Sequence, residues 1–377
     1  MHEAERSLFD LQRGRPVLVS TSSGRSREDG VLLAAVEGLT SETLDRLRSL
    51  NGDAIRLAVT NHRARVMGLV SSGQGQDGMS LCLNREASPA EMFRLSSSPG
   101  NYAAVAVGLS EASTSQIGGL TLARLARLLP AIIGVRVDAS NIESLRADLE
   151  SAAILTVTTK EITAMARNTS VEVTHVSDGP VPLAEAENAR FMSFREANGI
   201  LEHVAVLIGD RESWPDPVPV RIHSACLTGD LFGSLRCDCG DQLRGSLRVF
   251  AASGGGVLLY LAQEGRGIGF GNKLRAYTLQ QEGLDTVDAD YTLGFGADER
   301  RYDAAVEILR HLRIDRVQLL TNNPEKVRAV QEGGLQVIDR QPLYGTLNRH
   351  NLRYVKAKVQ RAGHWLGEML AGAVPTK

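Results

Sequence analysis

Hydrophobic positions in the first half of the chain form short apolar runs interspersed with leucines at helical spacing. The runs Pro16–Ser20 and Ala103–Val107 have the length of buried strands. Across Leu120–Leu129, leucines at 120, 122, 125 and 128 recur at near-helical intervals, which predicts a helix. The mixture of strand and helix patterns predicts an α/β domain with small, polar loops.

The second half alternates strand and helix signals more regularly. Val257–Leu261 and Val317–Leu320 are compact apolar runs that predict strands. The second run is followed by a helical stretch that ends at Glu332 and by a further strand over Leu335–Ile338. Strand, helix and strand in this order favour parallel strands joined by a helical crossover.

The start of this crossover helix has capping residues and a potential anion site. Asn322 or Asn323 can cap the helix, and Pro324 suits its first turn. Backbone N–H groups at a helix start attract anions, so phosphate binding near Thr321 and Lys326 is one interpretation. A capped surface helix without a ligand is the other.

A chain of 377 residues is long enough for two domains, and the pattern changes character between residues 155 and 190. Within that region, Ser177–Glu187 contains two prolines and a glycine, which predicts a connection or an irregular strand entry. We therefore expect an α/β (α+β) fold with domains over 1–172 and 173–377. The second is expected to hold a mixed sheet with flanking helices.

Charge and hydropathy exclude several function classes. The 42 Lys and Arg residues against 44 Asp and Glu residues leave a formal net charge of −2, which does not support a nucleic-acid or membrane-surface role. No apolar run approaches the roughly 20 residues of a membrane span, and the first residues lack the apolar core of a signal peptide. We expect a cytoplasmic protein.

Three of the four cysteines fall close together, at Cys226, Cys237 and Cys239. One residue separates the last two, so an extended backbone would direct both sulfurs to the same face. A turn at Gly229 or Gly233 would fold the first cysteine back onto them. The spacing predicts a metal centre or a redox site, and the redox motif usually has two intervening residues.

Three thiolates bind zinc and leave its fourth position open, which is typical of a catalytic site. Zinc in such a site lowers the pKa of a bound water to about 7. His223 is the nearest candidate for a fourth ligand, and its binding would make the site structural. A zinc ribbon is disfavoured because it needs four ligands in two pairs and Cys82 is far away in sequence.

Two further polar segments suit a phosphorylated substrate. Gln263–Gly269 follows a predicted strand, its glycines allow a ligand to approach the backbone, and Arg266 can grip phosphate in bidentate fashion. Asp298–Arg301 precedes a helical run over Asp303–Leu312. An ordinary glycine-rich strand exit and a solvated helix entry are the alternatives.

Together these segments resemble GTP cyclohydrolase II of riboflavin biosynthesis. The likeness runs from about residue 173 to the end through RIHSACLTGD, SLRCDCG, QEGRGIG, KLRAY, DTVDAD, LGFGADER and LLTNNPEK, in that order. The resemblance implies a hydrolase that releases C8 of GTP as formate, removes pyrophosphate, and yields a diaminopyrimidinone ribosylamine phosphate. A catalytically altered or regulatory GTP-binding paralogue is the alternative.

The resemblance also implies roles for individual residues. Zinc would be bound by Cys226, Cys237 and Cys239, and magnesium would accompany the GTP phosphates. Tyr277 would lie near the purine and Asp298 would be the proton acceptor. The residues expected to contact GTP are Arg221, Ile222, His223, Ser224, Gln242, Glu264, Gly265, Arg266, Thr286, Thr321 and Lys326.

In the family that the chain resembles, Arg300 is the proposed nucleophile toward the α-phosphate. A guanidinium with a pKa above 12 is a poor nucleophile unless a neighbour such as Asp298 takes a proton, so charge stabilisation is an equal interpretation. Ala225 departs from the family, which commonly has glutamate before the first cysteine. We also expect a homodimer.

The first half distantly resembles the 3,4-dihydroxy-2-butanone 4-phosphate synthase domain, through LQRGRPVLV and GVLLAAVEGLTSE. That domain binds magnesium through an acidic loop, which corresponds here to Ser20–Gly30, with only Glu28 and Asp29 acidic. Its histidine-bearing metal motif falls at Gly118–Arg124, which has no histidine. Magnesium needs several oxygen ligands, so we expect an inactive, structural or regulatory domain.

Overall fold

The computed structural model describes residues 2–21, 30–51, 55–70, 77–105, 107–138, 141–167 and 171–371. The chain forms two compact units. The first comprises Met1–Asn168 and Ile268–Glu299, and the second comprises Thr169–Gly267 and Arg300–Lys377. A segment from the second half of the sequence, residues 268–299, therefore folds with the first half. The segment Ser20–Gly30 with Glu28 and Asp29 lies largely outside the described residues.

In its described residues, the first unit has a seven-stranded sheet with strand order β5-β4-β3-β6-β2-β1-β7. The β1 and β7 strands pair in parallel, and the other neighbours are antiparallel. The strands are β1 Val17–Ser20, β2 Gly30–Ala35, β3 Arg56–Thr60, β4 Gly78–Cys82, β5 Val107–Glu111, β6 Ala131–Val137 and β7 Leu155–Thr158.

Helices cover both faces of this sheet because alternate strand residues point to opposite sides. On one face, Ile133 of β6 joins a core with Leu44 and Leu47 of α2. On the other face, a Cβ at Gly119 of α5 would lie 2.8 Å from Ile132 Cδ1, so that helix packs closely on the strand. The helices are α1 His2–Gln12, α2 Ser41–Asn51, α3 Asn61–Val66, α4 Pro89–Ser97, α5 Thr114–Leu125, α6 Ile142–Glu150 and α7 Thr159–Arg167.

Residues 268–299 add two helices to the first unit, α10 Phe270–Gln281 and α11 Thr286–Thr292. Their apolar faces form a buried cluster that includes Leu129 from the N-terminal part of the chain, together with Leu279 and Phe295. Burial of this shared apolar surface stabilises the segment within the unit.

Arg63, at 1% exposure, joins the inserted segment to α3 and α4. Its guanidinium donates to the backbone carbonyls of Leu95, Ser98 and Thr292. A buried guanidinium is costly unless its donors are paired, so these bonds also fix the backbone that supplies the carbonyls. Burial lowers the pKa of Arg63 to about 10, which leaves it charged at neutral pH.

The second unit has, over its described residues, a seven-stranded mixed sheet with order β14-β13-β11-β12-β10-β9-β8. The β14, β13, β11 and β12 strands pair in parallel, and the remaining neighbours are antiparallel. The strands are β8 Val173–Pro180, β9 Ala189–Glu196, β10 Glu202–Ile208, β11 Val218–Ser224, β12 Gly256–Leu261, β13 Arg316–Leu320 and β14 Gln336–Gln341.

Helices again pack on both faces. Leu259 of β12 belongs to a core with Ile308 of α12, and the adjacent Leu258 belongs to the opposite core with Phe250 of α9. The helices are α8 Leu227–Asp230, α9 Cys239–Ala252, α12 Asp303–His311, α13 Pro324–Glu332, α14 Leu352–Ala362 and α15 Gly367–Ala371. Among the described helices, none has the length and apolarity needed to cross a membrane.

The structure confirms the predicted α/β class and the mixed sheet, as well as the parallel β13–α13–β14 crossover. Asn323 caps α13 by accepting a hydrogen bond from the Glu325 N–H, as the Asn-Asn-Pro pattern predicts. Of the apolar run predicted as a strand over Ala103–Val107, Ala103–Val105 form a 3-10 turn and Val107 begins β5. The helix predicted over Leu120–Leu129 begins earlier, at Thr114, and ends at Leu125.

Candidate active site

The carboxyl ends of three parallel strands in the second unit meet at one edge of the sheet. At this edge β11 ends with Arg221–Ser224 and is followed by Cys226. The neighbouring strands lead into Gln263 after β12 and Thr321 after β13. The edge beyond the carboxyl ends of parallel strands is a frequent location of ligand sites in α/β sheets.

The three cysteines converge at this edge. The Sγ atoms of Cys226, Cys237 and Cys239 all lie within 4.8 Å of one another. Cys226 precedes α8, and Cys239 is the first residue of α9. The extended backbone expected between Cys237 and Cys239 is wrong, because the helix begins at the second of them. The α8 turn and Gly233, with φ of +62°, reverse the chain and bring the cysteines together.

The sulfur separation matches a tetrahedral metal centre. Sγ of Cys226 and Sγ of Cys237 are 3.7 Å apart. Two thiolates on a tetrahedral zinc, each at about 2.3 Å, would be about 3.8 Å apart. Without a cation, the neighbouring Cys226 raises the pKa of Cys237 to about 11 and that of Cys239 well above an ordinary thiol. A bound divalent cation would reverse this effect because it stabilises thiolates.

Gly229 makes room for the sulfurs. A Cβ at this position would lie 2.7 Å from Cys237 Sγ and 3.1 Å from Cys226 Sγ. It would also lie 3.0 Å from Cys239 Cβ. Any side chain at residue 229 would therefore displace at least one thiol, which explains the glycine in α8.

Asp230 orients His223 and the first cysteine. Its carboxylate accepts hydrogen bonds from the Cys226 N–H at 2.9 Å and the Tyr260 hydroxyl at 3.0 Å. His223 Nε2 lies 3.1 Å from the same carboxylate, so the histidine is engaged with Asp230 and is not part of the cysteine cluster. The fourth-ligand interpretation of His223 is therefore not favoured.

Burial lowers the pKa of His223 despite the hydrogen bond from its ring to Asp230, so the imidazole is neutral at pH 7. Because the carboxylate can only accept, the proton of the neutral ring belongs on Nε2. Nδ1 is then a buried acceptor, and it has no hydrogen-bond partner among the described residues. A ligand N–H or O–H group would satisfy it.

Arg221 belongs to a second hydrogen-bonded network. Its guanidinium donates to the Leu320 carbonyl at 2.9 Å and to Gln242 Oε1 at 2.6 Å. Gln242 Nε2 donates to Asp238 Oδ2 at 2.6 Å, and Lys358 Nζ donates to Asp238 Oδ1 at 2.8 Å. Burial alone would raise the pKa of Asp238, but the charge and hydrogen bond of Lys358, together with a backbone hydrogen bond and the charge of Arg221, outweigh that effect and hold the pKa below its usual value. The aspartate is ionised.

A pocket opens beside the cysteines. Many of the sequence-predicted residues line it, namely Arg221, His223, Ser224, Cys239, Gln242, Arg300, Thr321 and Lys326. The remaining lining residues are Asn322 and Asn323, which the sequence indicated only as helix caps, and Tyr354, Lys358, His364 and Leu366, which it did not indicate. Four of these lie on or after α14, and their sequence carries no recognisable motif.

Positive charge surrounds the pocket. Lys326 Nζ donates to the Ile222 carbonyl at 2.7 Å and lies 5.7 Å from the centre of the Tyr302 ring. Burial, followed by the charges of Lys358, Arg300 and other nearby cations, lowers the pKa of His364 to about 3. The site therefore disfavours a further cation and favours an anionic ligand.

The glycine-rich turn after β12 is tightly constrained. Gly265 and Arg266 both have left-handed backbones, with φ of +63° and +61°. A left-handed arginine is uncommon and indicates a position fixed by its surroundings. Glu264, in the same turn, accepts a hydrogen bond from the Leu227 N–H at 2.6 Å, which links the turn to α8 beside the cysteines.

The other sequence-predicted residues belong to the first unit. Tyr277 lies in α10, with Lys273 Nζ 5.7 Å from the centre of its ring. Thr286 begins α11, which Asp285 caps. Asp298 lies in the loop after that helix. All three are carried by the 268–299 segment.

Comparison with known proteins connects this arrangement to one family. The GTP cyclohydrolase II family model matches residues 174–342. The chain is 41% identical to the GTP cyclohydrolase-2 of Azospirillum brasilense, and the alignment covers 97% of this chain and 94% of that protein. It is 39% identical to the GTP cyclohydrolase-2 of Xylella fastidiosa, over 96% of this chain and 86% of that protein.

A shorter relative and one solved structure complete the comparison. The GTP cyclohydrolase-2 of Pseudomonas aeruginosa is 48% identical, over 55% of this chain and 99% of that protein. A two-domain 3,4-dihydroxy-2-butanone 4-phosphate synthase from A. baumannii aligns with 91% of this chain and 99% of its own, at 14% identity and a TM-score of 0.32. The sequence matches, which span nearly the whole chain, show that it belongs to the GTP cyclohydrolase II family.

Proposed function

We propose that the chain hydrolyses GTP in riboflavin biosynthesis, releasing formate and pyrophosphate in a zinc-dependent reaction. The observation that carries this proposal is the convergence of three thiols and a cation-lined pocket at one edge of the sheet. Family membership supplies the substrate. The geometry supplies a site where a metal and an anionic nucleotide would be neighbours.

The pocket suits a triphosphate. Arg300 and Lys326 line it, and α13 begins there with backbone N–H groups directed outward from the helix. Asn323 and Thr321 shape this start, since the Thr321 hydroxyl accepts from the Asn323 N–H at 3.0 Å. Magnesium would accompany the phosphates, as is usual for nucleotides.

Zinc bound by Cys226, Cys237 and Cys239 would supply a Lewis acid and an activated water for opening the purine ring. The protein's own contribution is to orient the purine base of GTP. His223 Nδ1 is an acceptor ready for a substrate N–H, and Asp230 holds the ring in that tautomer. Water cleaves the bond between the α- and β-phosphates, and pyrophosphate leaves.

Arg300 is proposed to act on the phosphates and Asp298 to accept a proton. Because a guanidinium rarely loses its proton, we favour stabilisation of the charge that develops on the α-phosphate over covalent attack. Tyr277 would lie near the purine, and Gly265, Arg266 and Thr286 would contact the nucleotide.

A regulatory GTP-binding protein is the second candidate function. Release of formate and pyrophosphate from GTP distinguishes an enzyme from such a protein.

We propose that residues 173–377 form the catalytic domain and that residues 1–172 have a structural role. The support is that residues 268–299, inside the span of the family match, fold with the first unit through Arg63 and the Leu129 cluster. Relatives that align over both parts are named GTP cyclohydrolase-2 alone. A homodimer and a cytoplasmic location remain predictions.

The first prediction is that Cys226→Ser, Cys237→Ser or Cys239→Ser abolishes formate release from GTP while pyrophosphate release continues. The reason is that loss of a thiolate weakens metal binding, whereas the phosphates are expected to react at Arg300. Formate and pyrophosphate are measured in the same reaction, and metal is quantified in the purified proteins. A metal-free wild-type preparation that opens the ring at the normal rate would refute the zinc mechanism.

A second prediction concerns Gly229→Ala, which should purify with little bound zinc although every thiol remains. The added methyl group would lie 2.7 Å from Cys237 Sγ and would separate the sulfurs. Gly179→Ala is the matched control, because a Cβ there meets no atom within 4 Å. Equal zinc content in the two variants would show that the sulfurs do not share a metal in this geometry.

The third prediction is that Arg300→Ala lowers pyrophosphate release about 10²–10³-fold, the usual effect of removing one group that stabilises transition-state charge. Formate release should fall equally if phosphate cleavage comes first. Arg300→Lys keeps the charge, so it should recover part of the activity under electrostatic stabilisation. Unchanged pyrophosphate release in the alanine variant would remove Arg300 from the mechanism.

The fourth prediction addresses the first unit. The full chain should form no dihydroxybutanone phosphate from ribulose 5-phosphate and magnesium. Arg63→Met should lower GTP turnover about tenfold, which corresponds to an increase of about 1.4 kcal/mol in the activation free energy. Arg63 holds Thr292 of α11 by a 3.0 Å hydrogen bond, so its loss should loosen the segment that carries Tyr277 and Asp298.

Arg65→Met is the matched control for this prediction, since Arg65 is an exposed residue of the same helix α3. Zinc content should stay normal in both variants because the cysteines belong to the second unit. Detectable dihydroxybutanone phosphate would contradict the inactive assignment, and equal turnover in the two arginine variants would contradict the structural role.

A further inference from the structure

An enclosed ion pair joins the C-terminal helix α14 to the loop that carries the metal-binding cysteines. Lys358 Nζ lies 2.8 Å from Asp238 Oδ1, and the two side chains are 12% and 0% exposed. The pair is therefore almost fully removed from solvent. Lys358 also lies over the ring of Tyr354, with Nζ 4.3 Å from the ring centre.

Asp238 occupies a central position in the site. In sequence it lies between two members of the cysteine cluster, Cys237 and Cys239, and it is the N-cap residue of α9. Its second carboxylate oxygen accepts the 2.6 Å hydrogen bond from Gln242, which in turn accepts from Arg221. One carboxylate thus links the cysteine loop to a buried arginine of the pocket.

Charge balance requires a cation beside this carboxylate. A metal centre with three thiolates carries a net negative charge, and a buried aspartate next to it adds another. An uncompensated buried carboxylate is strongly destabilising, and it would draw the guanidinium of Arg221 or the metal out of place. Lys358 is the group that ion-pairs with Asp238.

We propose that Lys358 is a positioning residue of the GTP site, through its charge and its hydrogen bond to Asp238. On one side it keeps the Asp238–Gln242–Arg221 chain in the arrangement that faces the nucleotide. On the other it relieves the repulsion that Asp238 would exert on the metal-bound thiolates. This inference rests on the proposed function of the same site and extends it to a helix beyond the family match at residues 174–342.

The positioning role of Lys358 can be tested separately from the packing of α14 against the rest of the unit. The helix has its own apolar anchors, since Val355 is 0% exposed and Ala357 is 6% exposed. Asn351, before the helix, donates to the Thr346 carbonyl at 2.8 Å. A methionine at residue 358 keeps the apolar stem of the lysine, so the helix should remain docked while the charge is lost.

The test compares Lys358→Met, Lys358→Arg and the exposed control Lys356→Met in the full-length protein. Zinc retention is measured against a competing chelator, and KM and kcat are measured for GTP. Lys358→Met should lose zinc affinity about 10–100-fold, the usual effect of removing a group that supports a metal ligand. KM should rise more than kcat falls, because Arg221 is displaced, and Lys358→Arg should recover most of both.

A double variant separates charge from packing. In Lys358→Met with Asp238→Asn, the asparagine Oδ1 can still accept from Gln242 and no buried anion remains. Zinc retention should therefore be better than in Lys358→Met alone. A merely structural role for Lys358 would make the two substitutions additive, and the arginine variant would recover nothing.

The outcomes distinguish this inference from the function on which it rests. If the wild-type protein releases no formate from GTP, the proposed function fails, while the zinc series still reports on Lys358. If the wild-type protein is active and Lys358→Met matches Lys356→Met in zinc retention and KM, the positioning role is wrong. Additive losses in the double variant, without recovery by arginine, would also overturn it.

Discussion

The mutual repulsion of three sulfurs is the constraint on which the site depends. Thiols packed within 4.8 Å cannot all ionise unless a cation is placed among them. The surrounding chain is arranged to tolerate this crowding. Gly229 leaves out a side chain, Asp230 fixes the backbone N–H of Cys226, and α9 begins at Cys239. These features suit the ligand role proposed for the three sulfurs.

Charge compensation also shapes the pocket beside the cysteines. Buried charges occur in compensating sets, as in Asp238 with Lys358, and each set fixes the orientation of a polar group that would otherwise rotate. The neutral ring of His223 is held in one tautomer by its hydrogen bond to Asp230. Pre-organised polar groups need little rearrangement when a charged ligand arrives, which is the condition for strong stabilisation of a reacting phosphate.

The fold class and most of the candidate site were predictable because they depend on local patterns. The apolar run before the Asn-Asn-Pro cap predicted β13 and α13, and the spacing of the cysteines predicted their cluster. The local backbone of that cluster was not predictable, because a single intervening residue suits a strand as well as a helix start. Cys239 begins a helix since α9 packs Phe250 against the sheet, which is a tertiary effect.

Contacts between distant parts of the sequence escaped prediction for a related reason. Lys358 pairs with a residue 120 positions earlier, and Arg63 binds a carbonyl 229 positions later. Neither residue carries a local signature, since a lysine on a helix and an arginine after a strand are ordinary. Only the three-dimensional structure identifies them as buried and paired.

The inclusion of residues 268–299 in the first unit has a consequence for biosynthesis of the chain. The ribosome produces the N-terminal part first, yet α10 and α11, which complete its Leu129 cluster, are made only after the 169–267 part of the second unit. The Arg63 N–H group that donates to the Thr292 carbonyl therefore has no partner there until this late segment has been synthesised. Long-range closure of this kind slows folding and leaves apolar surface exposed on the nascent chain, so translation speed and chaperone access should influence the yield of folded protein.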